Sequence, residues 1–301
     1  MNHLEELIKQ GFLVEEDAKE SIEKIDEKAF DKLIKHLKQE KPFIVTGSIV
    51  DKILAEDIEI IKQFEEKKVF TVQDYVNALN KRYGFLQDLL MKKVELKNIV
   101  SINKVSQGPV SVIGMVKDIV AKNSGKTVVM EDPTGYIDVV MDSKMIERLV
   151  LDDVIAVFGQ AKNKVVFAEK VLFPSIPLRP VNLSKKPIKV AFSDKKLDVD
   201  YVVSKDCVFD NKKQSKHKVS SPYMFSIGNI NIMFLTGAKP IDILNKRYLN
   251  INRIDFLIDP IPDVIFTDQE ISMSYKGVSI VPKNSIIDLM TRKIEKIEQK
   301  P

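Results

Sequence analysis

Apolar and polar positions alternate most regularly between residues 111 and 168. Ser111-Val112-Ile113-Gly114-Met115-Val116 reads as a half-buried strand that continues through Ile119 and Val120. Asn123-Ser124-Gly125-Lys126 supplies a glycine-containing hairpin turn before a second strand, Thr127 to Met130. Asp132-Pro133-Thr134-Gly135 makes the next turn, with proline fixing φ and glycine free to take a positive one. A third strand, Tyr136 to Met141, leads to a short helix from Ser143 to Leu149, with Ser143 as its cap. Val154 to Phe158, ending at Gly159, and Val165 to Ala168 are the returning strands.

Three strands, one helix and two more strands is the order of an OB-fold. Upstream the period changes to that of helices. Leu4, Leu7 and Ile8 share one face before a stop at Gly11, and Ala29, Phe30, Leu33, Ile34 and Leu37 share another between Glu27 and Gln39. Ser48 is placed to cap a helix carrying Ile49, Ile53, Ile60 and Ile61, with a break near Ala55 to Asp57. Thr71-Val72-Gln73-Asp74 resembles a capping box that opens a helix through Tyr75, Leu79, Tyr83, Leu86 and Leu90. Downstream of residue 184 short strands predominate, with one helix from Ile241 to Tyr248.

Composition narrows the class. The 301 residues, 44% apolar and 30% charged, suffice for two or three domains with real cores. No apolar run approaches the length of a membrane span and Met1-Asn2-His3-Leu4 opens no leader pattern, so a soluble, cytoplasmic protein without membrane contact is expected. The single Cys207 excludes an intrachain disulfide and a thiolate metal cage. Net charge is a mild +4, but ten Lys against five Asp lie between Val181 and Ser220. That excess suits phosphate or, equally, a solvated loop at Asn211 to Lys218.

A series of motifs now carries a resemblance. Gly11-Phe12-Leu13-Val14, Lys81-Arg82-Tyr83-Gly84-Phe85-Leu86, Glu131-Asp132-Pro133-Thr134-Gly135, Leu151-Asp152-Asp153-Val154 and Pro174-Ser175-Ile176-Pro177-Leu178 come in the order of one family. Together they resemble the small subunit of the archaeal D-family DNA polymerase, within the polymerase B-subunit family. The resemblance implies a multidomain α+β protein: an N-terminal helical module (1-68), a connecting helix (69-96), an OB-fold β-barrel (97-183) and a calcineurin-like phosphodiesterase β-sandwich, here reduced (184-301). In that family the last domain holds two metals and acts as the 3′ to 5′ proofreading exonuclease.

This sequence departs from the active pattern. A two-metal centre needs several His and Asp around cations roughly 3.5 to 4 Å apart, and the chain has three His, two of them near the N-terminus. Where the family has Asp-x-His, the chain reads Asp194-Lys195-Lys196, and the two histidines of the family's Gly-His-x-His fall at Gln269 and Ile271. The expectation is an inactivated domain without metal or other cofactor, shortened so that sheet surface lies open to a permanent partner.

The reading is a non-catalytic accessory subunit that stabilises the large catalytic subunit of the polymerase and helps hold primer-template or single-stranded DNA. An active exonuclease with unrecognised ligands, and a free-standing single-strand-binding protein, are the alternatives. For phosphate contacts the strand 1 to 2 hairpin offers Lys117, Lys122 and Lys126, and the strand 4 to 5 loop offers Lys162 and Lys164.

Overall fold

The computed structural model describes residues 3–23, 25, 27–54, 57–66, 71–122, 125–195 and 197–297. From the N-terminus come helix α1 (His3–Lys9), strand β1 (Leu13–Val14), helices α2 (Glu16–Glu23) and α3 (Glu27–Glu40), strand β2 (Ile44–Val45), helix α4 (Gly47–Leu54) and strand β3 (Ile58–Gln63). Helix α5 (Val72–Met91) and a 3-10 turn at Ile102–Lys104 lead into β4 (Gly108–Lys122), β5 (Gly125–Asp132), β6 (Gly135–Val140), the short helix α6 (Ser143–Ile146), β7 (Val154–Lys162) and β8 (Val165–Leu172). Strands β9 (Lys189–Phe192), β10 (Tyr201–Val203), β11 (Cys207–Asp210), β12 (Ser215–Lys218), β13 (Tyr223–Ile227) and β14 (Ile230–Leu235) precede helix α7 (Pro240–Lys246). The hairpin β15 (Tyr248–Ile251) and β16 (Ile254–Leu257) follows, then β17 (Val264–Thr267), β18 (Met273–Tyr275), β19 (Val278–Pro282), β20 (Ser285–Asp288) and β21 (Ile294–Lys296). The protein is thus mixed α and β, and it divides into two compact units.

The first unit takes in Met1–Phe64, Val181–Thr236 and Pro262–Pro301. Two six-stranded sheets, ordered β12-β11-β10-β9-β20-β21 and β18-β19-β17-β14-β13-β3, share one apolar core. Val190, Phe192, Tyr201 and Val203 enter it from one sheet, and Phe225, Ile232, Phe234, Val264 and Phe266 from the other. In β14 every second residue (Ile230, Ile232, Phe234) faces that core, as the two-residue period of a strand requires. A separate core of Leu7, Ala18, Ile22, Leu33, Leu37 and Val50 holds α1 to α4 together.

Three expectations are corrected here. Helix α4 stops at Leu54, and Ile58-Glu59-Ile60-Ile61 is strand β3, paired antiparallel with β13. Two β-branched side chains in succession suit a pleated edge better than a helix interior; of the break predicted near Ala55 to Asp57, residues 55 and 56 lie outside the described residues. The lysine-rich stretch after Asp210 is an ordered hairpin, in which Lys216 and Lys218 are exposed on alternate positions of the edge strand β12. Such lysines keep an edge from pairing with other chains. The sheet is also less open than its shortened length implied: Met224, Met233, Ile265 and Ile280, on the face turned away from the shared core, are fully buried.

The second unit takes in Glu65–Pro180 and Gly237–Ile261. Its centre is a closed five-stranded barrel, β4-β5-β6-β8-β7. The 15-residue β4 serves two neighbours, pairing with β7 over its first half and β5 over its second, while β6 and β8 run parallel. Val112, Val116, Val128, Met130, Val139, Ile155, Val157 and Val166 fill the interior. Strand β7 does not end at Gly159. It runs on to Lys162 through a bulge, where a Cβ on Gly159 would stand 2.0 Å from the Phe167 carbonyl oxygen.

Caps were partly legible. Thr71 and Asp74 form the predicted reciprocal box at the start of α5. The cap of α6 is Asp142, which accepts from the Met145 amide, and not Ser143. Thr46, not Ser48, receives the Ile49 amide ahead of α4.

Candidate nucleic-acid interface

Alternation along β6 turns Ile137 and Val139 into the barrel and Tyr136, Asp138 and Val140 outward. Tyr136 is 74% exposed, and Phe167, opposite Val140 on β8, is 48% exposed. Two aromatic faces therefore sit on one outer surface, where apolar rings gain nothing from water and can stack on other flat groups.

The predicted lysines distribute unevenly around this surface. Lys117 is on β4 with its ammonium 6.0 Å from the Tyr136 ring centre and 2.7 Å from Glu131 Oε2. The hydrogen bond to Glu131 raises its pKa, so its charge is already engaged within the barrel. Lys162 ends β7 and Lys164 lies in the following two-residue turn, both exposed. Asn163 and Lys164 have φ of 51° and 59°, the double positive φ of a type I′ hairpin. The backbone of Lys122 pairs with Gly125, flanking the other hairpin; the side chains of Lys122 and Lys126 lie outside the described residues. Register separates the two groups. Gly108, at the start of β4, pairs with Ala161 beside Lys162, whereas Lys122 is at the opposite end of that strand. The five lysines are thus not one cluster.

The tract read as a degenerate metal site sits in the first unit. Strand β9 ends at Phe192, and Asp194 follows with its carboxylate 2.5 Å from Lys283 Nζ. Lys196 lies outside the described residues. Ser193, Lys195, Ser204, Asp206, Cys207 and Lys216 join Asp194 around a cleft of about 330 Å³. Gln269 and Ile271 lie in the loop after β17, where the Gln269 amide donates to Thr267 Oγ1 and the Ile271 amide to the Gln269 carbonyl. His217 is in β12, 3.5 Å from Ser215 Oγ. Among the described residues no three His, Cys, Asp or Glu side chains are gathered as metal ligands.

Two motifs singled out in the sequence prove to be parts of one buried polar clamp in the second unit. Arg82 of α5 is 2% exposed, donates from Nε to Asp255 Oδ2 at 2.9 Å and from Nη1 to the Asp152 carbonyl at 3.0 Å, and lies 4.5 Å from the centre of the Tyr248 ring. The Tyr248 hydroxyl donates to Asp153 Oδ1 at 2.9 Å, and Lys246 Nζ holds Asp153 Oδ2 at 2.8 Å. Burial pushes the Tyr248 phenol well above its ordinary pKa, and the Asp153 carboxylate pushes it further. Burial lowers the Arg82 guanidinium, but Asp255 and Tyr248 outweigh it and the net shift is upward. The clamp ties α5, the turn before β7 and the β15-β16 hairpin together. Sequence spacing could not reveal it, because each of these hydrogen bonds joins residues 70 to 173 positions apart.

A closed barrel with exposed rings on its wall in one unit, and two sheets about a common core in the other, define a class: a multidomain protein of mixed α and β structure. Relatives give the particular resemblance. The chain is similar to the DNA polymerase II small subunit of Methanothermobacter thermautotrophicus, 33% identical over 132 residues, covering 40% of this chain and 27% of that protein. It is similar to the same-named protein of Archaeoglobus fulgidus, 26% identical over 179 residues, covering 56% of this chain and 36% of the relative. The resemblance to the small subunits of the archaeal D-family polymerase is therefore carried by sequence, and the matched stretches span about a quarter to a third of those relatives. No protein-family model matches the chain. Among solved structures, an OBody bound to hen egg-white lysozyme shares 18% identity over 26% of this chain and 95% of its own, with a TM-score of 0.24, too low to bear on fold or function.

Proposed function

We propose that this chain is a non-catalytic accessory subunit of an archaeal replicative DNA polymerase, acting in the cytoplasm. It stabilises the large catalytic subunit and contributes a barrel surface to DNA. The observation that carries the reading is the similarity to small subunits of that name from several archaea. The barrel order supports an OB-fold assignment, since three antiparallel strands, a helix and two strands that close on the first are its connectivity. The two sheets with a common core support descent from the phosphodiesterase sandwich, with Asp194, Lys196, Gln269 and Ile271 at positions where ligation has been lost. The domain reading then keeps the helical module at 1-68, the connecting helix at 69-96, the barrel at 97-183 and the reduced sandwich at 184-301. The 68/69 boundary falls outside the described residues, and contacts associate 237–261 with the barrel unit.

On the barrel, Tyr136 and Phe167 stack on bases while Lys162 and Lys164, with Lys122 and Lys126 at the far hairpin, meet phosphates. Lys117 orders the surface through Glu131. A pull-down of the tagged chain from its native extract, with the bound proteins identified by mass, tests the reading. Recovery of the large polymerase subunit is the expected result, and recovery of the chain alone would overturn it.

A further inference from the structure

We propose a second phosphate-binding site on the barrel, in the cleft between α6 and β8, that receives the backbone of a nucleic-acid strand leaving the Phe167 surface. The cleft has a volume of about 230 Å³, and Lys144, Arg148 and Lys170 converge on it above Phe173. At about 30 Å³ per water it has room for a hydrated anion. Three cations meet there against one carboxylate, Glu169, whose Oε1 already accepts from Gln160 Nε2 at 3.1 Å. None of the three has a carboxylate partner among the described residues.

Arg148 is the feature that turns a charged patch into a receptor. Its guanidinium carbon lies 5.2 Å from the centre of the Phe173 ring, within cation–π range, while its N–H groups find no acceptor among the described residues. A guanidinium over a ring, with its planar fork of donors unpaired, matches a phosphate better than an ammonium does. Collecting like charges in one cleft costs free energy that a bound anion recovers.

The strand points to a nucleic acid as the anion. Along β8, Val166, Ala168 and Val171 pack into the barrel, so Phe167 and Lys170 turn outward on either side of the bulge opposite Phe158 and Gly159. Phe167 and Lys170 are both exposed. An exposed ring with a cation beyond it on the same wall suits an unpaired strand, which offers a base to stack and a phosphate to pair, and an acidic peptide would have no use for the ring.

This inference rests on the reading that the barrel meets DNA, and the test separates the two. The full chain is titrated with fluorescein-labelled oligodeoxythymidine across a salt series, with Lys144→Gln, Lys170→Gln and Arg148→Gln for the cleft and Tyr136→Ala with Phe167→Ala for the outer surface. Thermal melting shows that each variant is folded. Each lost phosphate contact should reduce the slope of log affinity against log salt by about 0.7 and weaken binding about fivefold at 0.1 M salt. Arg148→Lys should recover part of the slope. Unchanged slopes in folded cleft variants, with binding lost in the ring variants, would overturn the cleft and leave the outer surface standing. Slopes lowered by the cleft variants while the ring variants bind normally would support the cleft and overturn the outer surface. No binding by the wild-type chain at low salt would overturn both. A polyglutamate peptide that binds the wild type and loses affinity in cleft variants that still bind DNA normally would assign the cleft to an acidic protein instead, and so overturn the proposal.

Discussion

Replacing Arg82 with Met should uncouple the β15-β16 hairpin from the barrel. Met fills much of the same volume but removes the charge, leaving Asp255, whose side chain is 6% exposed, without its cation. Stranding one member of a buried pair costs about 3 to 5 kcal/mol. The lost hydrogen bond to the Asp152 carbonyl and the lost contact with the Tyr248 ring act on the same elements, and the three effects are not independent enough to add. The estimate therefore stays at about 3 to 5 kcal/mol, a large part of the about 5 to 15 kcal/mol that holds a typical domain. Hydrogen exchange resolved to peptides is the right assay, because two compact units need not unfold together and a single global midpoint would blur the effect. Protection should fall in residues 248–257 and in α5 while the two-sheet unit keeps its own. A double variant, Arg82→Met with Asp255→Leu, should recover much of the loss, since no charge is then stranded. A change below about 0.5 kcal/mol in Arg82→Met, the range of ordinary surface substitutions, would refute the clamp.

Gly159→Ala should prevent stable closure of the barrel, because the new methyl would meet the Phe167 carbonyl rather than a side chain able to move; circular dichroism melting of the variant decides it. Burial raises the Tyr83 phenol to about 12 and, with the nearby charges, Tyr248 and Tyr223 further still. Unfolded phenols ionise near pH 10, so above that pH the unfolded state binds fewer protons than the native one and stability declines as pH rises; denaturant midpoints at pH 8 and pH 11 should show the drop, and equal midpoints would count against buried phenols. Exchanging Lys117 for Gln should alter the salt slope of DNA binding less than exchanging Lys164 does, since Lys117 is already engaged by Glu131; a salt titration of the two variants compares them directly.

Periodicity exposed the barrel clearly and the sandwich poorly. The barrel strands β4 to β8 are bounded by strong punctuation: Asp132-Pro133-Thr134-Gly135 closes a two-residue turn in which Asp132 Oδ1 accepts from the Thr134 and Gly135 amides. Strands β13, β14, β17 and β19 are buried on both faces or nearly so, and such runs carry no alternation to read. Strand β3 reads as helix because Ile53 and Ile60 fit a seven-residue spacing, while its partner strand is far along the chain, with Ile58 opposite Ile227. Lysines could be counted from sequence, but whether each is free could not: Lys117 has Glu131, Lys246 has Asp153 and Lys283 has Asp194. Nothing local in the sequence marks Arg148, since its setting depends on Phe173, 25 positions on.

The central claim is that this chain completes a polymerase without doing chemistry of its own. The most direct test is to mix the purified chain with the large catalytic subunit, follow complex formation by size-exclusion chromatography with light scattering, and assay the same fractions for primer extension and for manganese-dependent loss of 3′-terminal nucleotides. The account predicts a stable complex that extends primers, and no 3′ to 5′ nuclease activity attributable to this chain, with Asp194→Ala changing nothing. A chain that stays monomeric beside the large subunit, or a nuclease activity abolished by Asp194→Ala, would contradict it.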